Sequence, residues 1–214
     1  AIARGLSMSL GGAVRIAIIE RLPSSADPVE DGRAFAIWAA AKSGLQSLGV
    51  WDEIAAVPQP MTMIEISDSA LTDGVRPTLL TYDGSTSNGA AAAYVVPAAK
   101  LNAALLTSVR DDPAITWIAP AEGVSLTHRP HAVEVALRDG RVLSAELCVA
   151  ADGRNSRLRE AAGIKTVGWP YEQRGIVATV ELGAPHHGVA VQHLLPGGPF
   201  AILPMRGNKA CITW

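Results

Sequence analysis

The chain is poor in aromatic residues (5%) and has two cysteines, no long uncharged apolar run and no surplus of charge of one sign. Its 18 Lys and Arg stand against 20 Asp and Glu, a formal net charge of −2, with the two signs scattered along the chain. Scattered charge lacks the basic footprint that a phosphate backbone requires, so nucleic acid is not an expected partner. Charges such as Lys42 and Asp52 interrupt every apolar stretch before it reaches the roughly 18 residues of a spanning helix. Cys148 and Cys211 each sit in a short apolar run, which predicts buried thiols in a reducing compartment, the cytoplasm, rather than a disulfide framework. The first residues, Ala1 to Leu6, carry neither a basic segment nor a cleavage site and read as the inside of a helix.

About half of the 214 residues are apolar, enough for a real core in one large or two small domains. Val14 to Ile19 is a β-branched run closed by Glu20-Arg21 and predicts a short strand, with helix before it and loop after it. Leu22 to Glu30 is rich in Pro, Ser and acid and reads as loop. Apolar spacing at Phe35, Ile37, Trp38, Ala41, Leu45 and Leu48 predicts a helix over 33–48, with Asp31 as N-cap and Gly49 as its stop. Met61 to Ile66 and Pro77 to Tyr82, separated by an Asp/Gly-rich turn, predict antiparallel strands. Tyr94-Val95-Val96 predicts a strand leading to a helix opened by Pro97. Short strands with an Asp139-Gly140 turn follow between Ile115 and Val149, then a short helix from Ser156 to Ala162 closed by Gly163, then strands from Gly175 onward.

Two places carry chemistry. An acid at the tip of a strand, such as Glu20, accepts hydrogen bonds from ribose hydroxyls in nucleotide-binding α/β units, although the glycine-rich turn that would precede it is not in this sequence. A solvated acid ending a strand is the plainer alternative. In the second place, the apolar run Leu147 to Ala150 predicts a buried strand delivering Asp152 and Gly153 to a tight turn. Ser156 then starts a helix whose free amides attract anionic groups, and Arg159, one turn in, pairs with Asp152 or with phosphate. An ordinary strand-turn-helix fits the same residues.

Asp152-Gly153-x-x-Ser156-x-x-Arg159, followed by Ala162-Gly163-Ile164, resembles the Asp-Gly motif of class A flavoprotein monooxygenases, the family related to para-hydroxybenzoate hydroxylase. Three further segments, 31–36 continuing to 48–51, then 169–178, then 195–204, make the chain similar to the ubiquinone-biosynthesis branch typified by 2-octaprenyl-6-methoxyphenol hydroxylase. The resemblance covers about Val14 to Trp214. It implies an α/β fold in which an FAD/NAD(P)-binding Rossmann-like sheet (1–60 and 92–165) is interleaved with an antiparallel substrate-domain sheet (61–91 and 166–214). It also implies that the chain is a central fragment, with the glycine-rich turn before Ala1 and a Gly-Asp motif after Trp214.

By the same resemblance Glu20 and Arg21 meet the adenosine half of FAD, Arg33 lies against the dinucleotide, and Asp152, Gly153, Ser156 and Arg159 form a motif serving both FAD and NAD(P)H. The family's Asn-Arg pair after the strand 94–96 is replaced here by Ala98-Ala99, and Lys100 offers a point charge but no guanidinium fork. His193, Phe200 and Pro204 are candidates to face an aromatic, prenylated phenol, and no catalytic residue is assigned because the cofactor does the hard step. A prenylated substrate implies peripheral membrane association and contact with other ubiquinone-biosynthesis proteins. A non-catalytic interaction fragment, and a flavin-dependent halogenase or reductase, are the rival classes.

Three other signals are weaker. His186, His187 and His193 have no carboxylate or cysteine cluster beside them, so no metal site is expected. Gly5-Leu6-Ser7-Met8-Ser9 lacks the second glycine of a nucleophile elbow. Trp38, Trp51, Trp117, Trp169 and Trp214 are read as packing residues.

Overall fold

The computed structural model describes residues 1–23 and 28–214. In chain order the helices are α1 (Ile2–Leu10), α2 (Ala39–Ser47), α3 (Val50–Glu53), α4 (Ala98–Arg110) and α5 (Arg157–Ala161). The first seven strands are β1 (Ile16–Ile19), β2 (Ala34–Trp38), β3 (Gln59–Met61), β4 (Met63–Asp68), β5 (Thr78–Asp83), β6 (Ala93–Pro97) and β7 (Ile115–Ile118). The others are β8 (Gly123–Arg129), β9 (Ala132–Leu137), β10 (Val142–Ala145), β11 (Val177–Glu181), β12 (Val189–Leu195), β13 (Gly198–Met205) and β14 (Lys209–Thr213). They fall into two compact units, one from the described residues of Ala1–Ser9, Asp27–Asp112 and Gln173–Trp214, the other from those of Leu10–Ala26 and Pro113–Glu172.

The first unit is layered. A six-stranded sheet runs β11-β14-β13-β12-β4-β5, antiparallel throughout except where β12 lies parallel to β4. A three-stranded sheet, β2-β6-β3, has β6 at its centre. Successive side chains of a strand point to opposite faces, and β6 uses both. Val96 and Tyr94 pack with Val50, Trp51, Ile54 and Leu101 of the helices, while Ala93 and Val95 pack with Met61, Ala190, Met205 and Cys211 of the large sheet. Gly84 is required where β5 passes β3, because a Cβ there would stand 2.5 Å from the Met61 carbonyl oxygen.

The second unit has a parallel pair, β1 and β7, and an antiparallel sheet, β10-β9-β8. Val135, Leu137 and Leu158 form its core, with Ile19, Ile118, Leu126 and Cys148 packed against them. Gly123 lets α5 approach β8: a Cβ there would meet Leu158 Cδ2 at 3.3 Å.

The expected α1, the β4–β5 hairpin, the Asp139-Gly140 turn (Gly140 φ +89°) and the strands after Gly175 are all present. The loop reading of 22–30 falls partly on residues 24–27, outside the described residues. The helix expected over 33–48 is instead a strand followed by a helix, because Ala34 to Trp38 pair in unbroken antiparallel register with Pro97 to Ala93. Asp31 caps no helix and accepts from the backbone N–H of its neighbour Arg33 at 3.1 Å. The stop at Gly49 holds: its left-handed φ of +73° breaks α2 from α3.

Leu147 to Ala150 form no strand and pair with none of the described strands, so Leu147 and Val149 stay exposed and Cys148 is half-buried rather than buried. Trp51 is packed as expected, edge-on to Tyr94 at 5.4 Å, and Trp214 meets one ring although partly exposed, but Trp38 and Trp169 are more than half exposed, so packing does not account for them. No helix of the described residues is long and apolar enough to cross a membrane.

Candidate functional site

Glu20 stands at the carboxyl end of β1, the end of a parallel strand at which α/β sheets bind ligands. Its N–H donates to the Ile118 carbonyl (3.0 Å) and its carbonyl accepts from Ala121 N–H (2.7 Å), so the corner is pinned to the end of β7. One carboxylate oxygen, Oε1, accepts from Leu22 N–H at 2.8 Å, and the other takes part in no bond of the described set. That arrangement fits a nucleoside ribose, which asks for a fixed acceptor.

The second corner is organised by its own side chains. Ser156 caps α5 by accepting from Arg159 N–H at 3.0 Å, and its hydroxyl donates to Asp152 Oδ1. Asp152 Oδ2 accepts from Leu158 N–H at 3.3 Å. Desolvation raises the Asp152 carboxyl, but the Ser156 hydroxyl and the backbone N–H groups outweigh it, leaving the group below the usual carboxylate range. The expectation of free helix amides is therefore corrected: Asp152 and Ser156 already occupy those of Leu158 and Arg159. Arg159 does not pair with Asp152: its Nη2 donates to the Arg154 carbonyl at 2.9 Å, and its Nε is buried without a partner. Gly153 has φ +87° and open space around its Cβ position, so backbone approach there is unobstructed.

Glu20, Arg21, Asp152, Gly153, Ser156 and Arg159 all belong to the second unit, and one apolar cluster joins their supports, with Ile19, Ile118 and Ala121 beside Leu158. Next to it Glu122 accepts from Arg138 Nε at 2.6 Å and pairs with Arg157 at 2.8 Å, and these contacts hold its carboxyl below the usual range against the upward pull of desolvation.

In the first unit Arg33 opens β2, exposed, with Nε donating to Asp31 at 2.6 Å and its carbonyl accepting from Ala98, the first residue of α4. Lys100 is 3.9 Å from Glu30. His193 and Phe200 face each other across β12 and β13, ring planes 5° apart and centroids 6.3 Å apart. Pro204 follows on the same face of β13 by strand alternation and is fully buried. Two further residues complete the group: Ser67 of β4, not singled out from the sequence, 2.5 Å from His193 Nδ1, and Trp214, read there as a packing residue, edge-on to Phe200 at 6.0 Å. No local sequence signal marks Ser67, whose partner lies 126 residues away. Among the described residues no group of His, Cys, Asp and Glu is placed to hold a metal.

With this geometry in place, comparison with known proteins assigns the class. The FAD binding domain family model matches residues 5–212, and the chain belongs to that family. Ubiquinone hydroxylase UbiL of Rhodospirillum rubrum is 41% identical over 186 residues, which cover 86% of this chain and 42% of the relative. The 3-demethoxyubiquinol 3-hydroxylase of Escherichia coli is 30% identical over 215 residues, covering 100% of this chain and 54% of the relative. The chain thus spans about half the length of the curated relatives it matches. Among solved structures, P. aeruginosa PqsL in complex with 2-aminobenzoylacetate superposes with a TM-score of 0.79 at 18% identity, covering 99% of this chain and 56% of that one. A 2-methyl-3-hydroxypyridine-5-carboxylic acid oxygenase superposes with a TM-score of 0.74 at 20% identity, covering 99% and 54%. These likenesses confirm the expected α/β FAD-binding fold.

Proposed function

We propose that this chain is the central part of a flavoprotein monooxygenase that hydroxylates a phenolic, prenylated ring with FAD, NAD(P)H and O2 in ubiquinone biosynthesis. The observation that carries this reading is Glu20, held at the carboxyl end of a parallel strand by its own backbone bonds, with one carboxylate oxygen left for a ribose. The names of the relatives support the reaction and the substrate class.

Bound FAD supplies the redox chemistry that carries electrons from NAD(P)H to oxygen. Glu20 holds the ribose of the adenosine half, with Arg21 beside it. Asp152 and Ser156 hold the Gly153 corner rigid, so that its unobstructed backbone approaches the cofactor, and Arg159 braces that corner through Arg154. Arg33 lies against the dinucleotide, its Nε anchored by Asp31. His193, Phe200 and Pro204 belong to the substrate sheet (61–91 and 166–214), and 1–60 with 92–165 form the FAD-binding domain. A prenylated substrate brings the protein to a membrane surface and to other ubiquinone-biosynthesis proteins.

The test is made in the full-length protein. FAD titration should show Glu20→Ala weakening FAD by about tenfold or more, the loss expected for one charge-assisted bond. The parent should couple NAD(P)H oxidation to incorporation of oxygen into a prenylated phenol. Unchanged FAD affinity removes the Glu20 role, and halogenation, or reduction without oxygen uptake, overturns the reaction.

A further inference from the structure

The large sheet has a second face, and it leaves an apolar cleft that neither corner nor the His193 group uses. Tyr82 lies opposite Ile64 on β4 and β5, and alternation puts Ile64, Ile66 and Tyr82 on the face turned toward β2 and β6. Nearer β12 that face is packed, with Ile64 against Met61, Ala93 and Val95. Packing gives out at β5, where every residue is exposed. The space left is a cleft of about 380 Å³ lined by Trp38, Met61, Ile64, Ile66 and Tyr82, with small residues at Gly84, Ala92 and Ala93. Its volume lies in the range of small-molecule sites, roughly 300–1,000 Å³.

Its chemistry is almost entirely carbon. Asp83 is the one charged lining residue, and its Oδ1 is turned back to accept from Ser85 N–H at 2.9 Å. No cation is present to meet a phosphate, and no carboxylate is free to meet an amine. Trp38 is 55% exposed and Tyr82 52%, large aromatic surfaces left in water beside an apolar recess. Met61, whose thioether adapts to irregular shapes, is buried at 3% exposure.

We infer that this cleft binds an uncharged, flexible hydrocarbon chain of the isoprenoid kind. A phenolic head needs a donor or acceptor aimed into its site, whereas a hydrocarbon chain needs only carbon surface removed from water. The inference deepens the proposed function by giving the substrate's tail a place, and as a statement about substrate it rests on that reading.

The experiment uses the full-length protein and farnesol, a fifteen-carbon probe without a phenol, with binding measured by calorimetry. The parent binds farnesol, and Trp38→Ala and Tyr82→Ala each weaken it by about tenfold. Thr81→Ala, which pairs with Glu65 on the opposite face of β5 and is exposed, binds as the parent does. Farnesol binding that is absent in the parent, unchanged in both cleft variants, or lost equally in Thr81→Ala overturns the inference. Should Trp38→Ala fail to fold by circular dichroism, Tyr82→Ala on the exposed edge strand decides alone. A parent that binds FAD and oxidises NAD(P)H but ignores farnesol sinks the cleft and leaves the proposed function standing. A parent that binds farnesol but not FAD does the reverse.

Discussion

Ser67 Oγ and His193 Nδ1 lie 2.5 Å apart and tie β4 to β12 at the one parallel pairing of the six-stranded sheet. Ser67 is buried, so its hydroxyl has no water to fall back on, and the contact also keeps the imidazole flat against Phe200.

Replacing Ser67 by Ala should cost about 1 kcal/mol, the net worth of a typical side-chain hydrogen bond. Urea unfolding of the full-length protein reads it as a lower midpoint with unchanged slope. A midpoint equal to the parent's would mean that the contact contributes nothing.

Asp152 predicts an acid dependence. Its folded carboxyl lies below the ordinary range, so ionisation favours the folded state. That contribution is fully present above the unfolded value near pH 4 and is lost as pH falls through the lower folded value. Asp152→Asn should therefore melt below the parent at pH 7, with the gap closing as pH falls through the lowered folded value. A gap that widens on acidification would reverse the assigned sign.

Two glycines should respond in opposite directions. Gly84→Ala drives a Cβ to 2.5 Å from Met61 O and 2.7 Å from Thr62 C, both backbone atoms, and should destabilise by about 1–3 kcal/mol. Gly44→Ala, in α2 with nothing within 4 Å, should stabilise by about 0.5–1 kcal/mol. Thermal melts of the pair check both, and a shared direction of change would contradict the packing described.

Alternating segments at 61–66 and 77–82 made β4 and β5 legible to within one or two residues, as the Ser156 cap and Gly163 stop did for α5. Residues 34–38 were not, since Phe35, Ile37 and Trp38 fit a helical face as well as a strand. Their state is decided by β6, some sixty residues on, and a local pattern carries no such information. Leu147 to Ala150 misled in the other direction: an apolar run becomes a strand only where a neighbour takes its backbone groups. Glu20 and the Asp-Gly corner could be singled out from single segments. The cleft could not, because Trp38, Ile64 and Tyr82 meet only through the registers of two sheets.

The parallel seam between β4 and β12 also bears on how the molecule comes into being. Roughly a hundred residues separate the end of β5 from Val189, and ribosomes add about 5–20 residues per second. During synthesis the β4–β5 hairpin therefore waits on the order of ten seconds with one edge bare before its neighbour emerges, an interval in which a chaperone or a second nascent chain can reach it first.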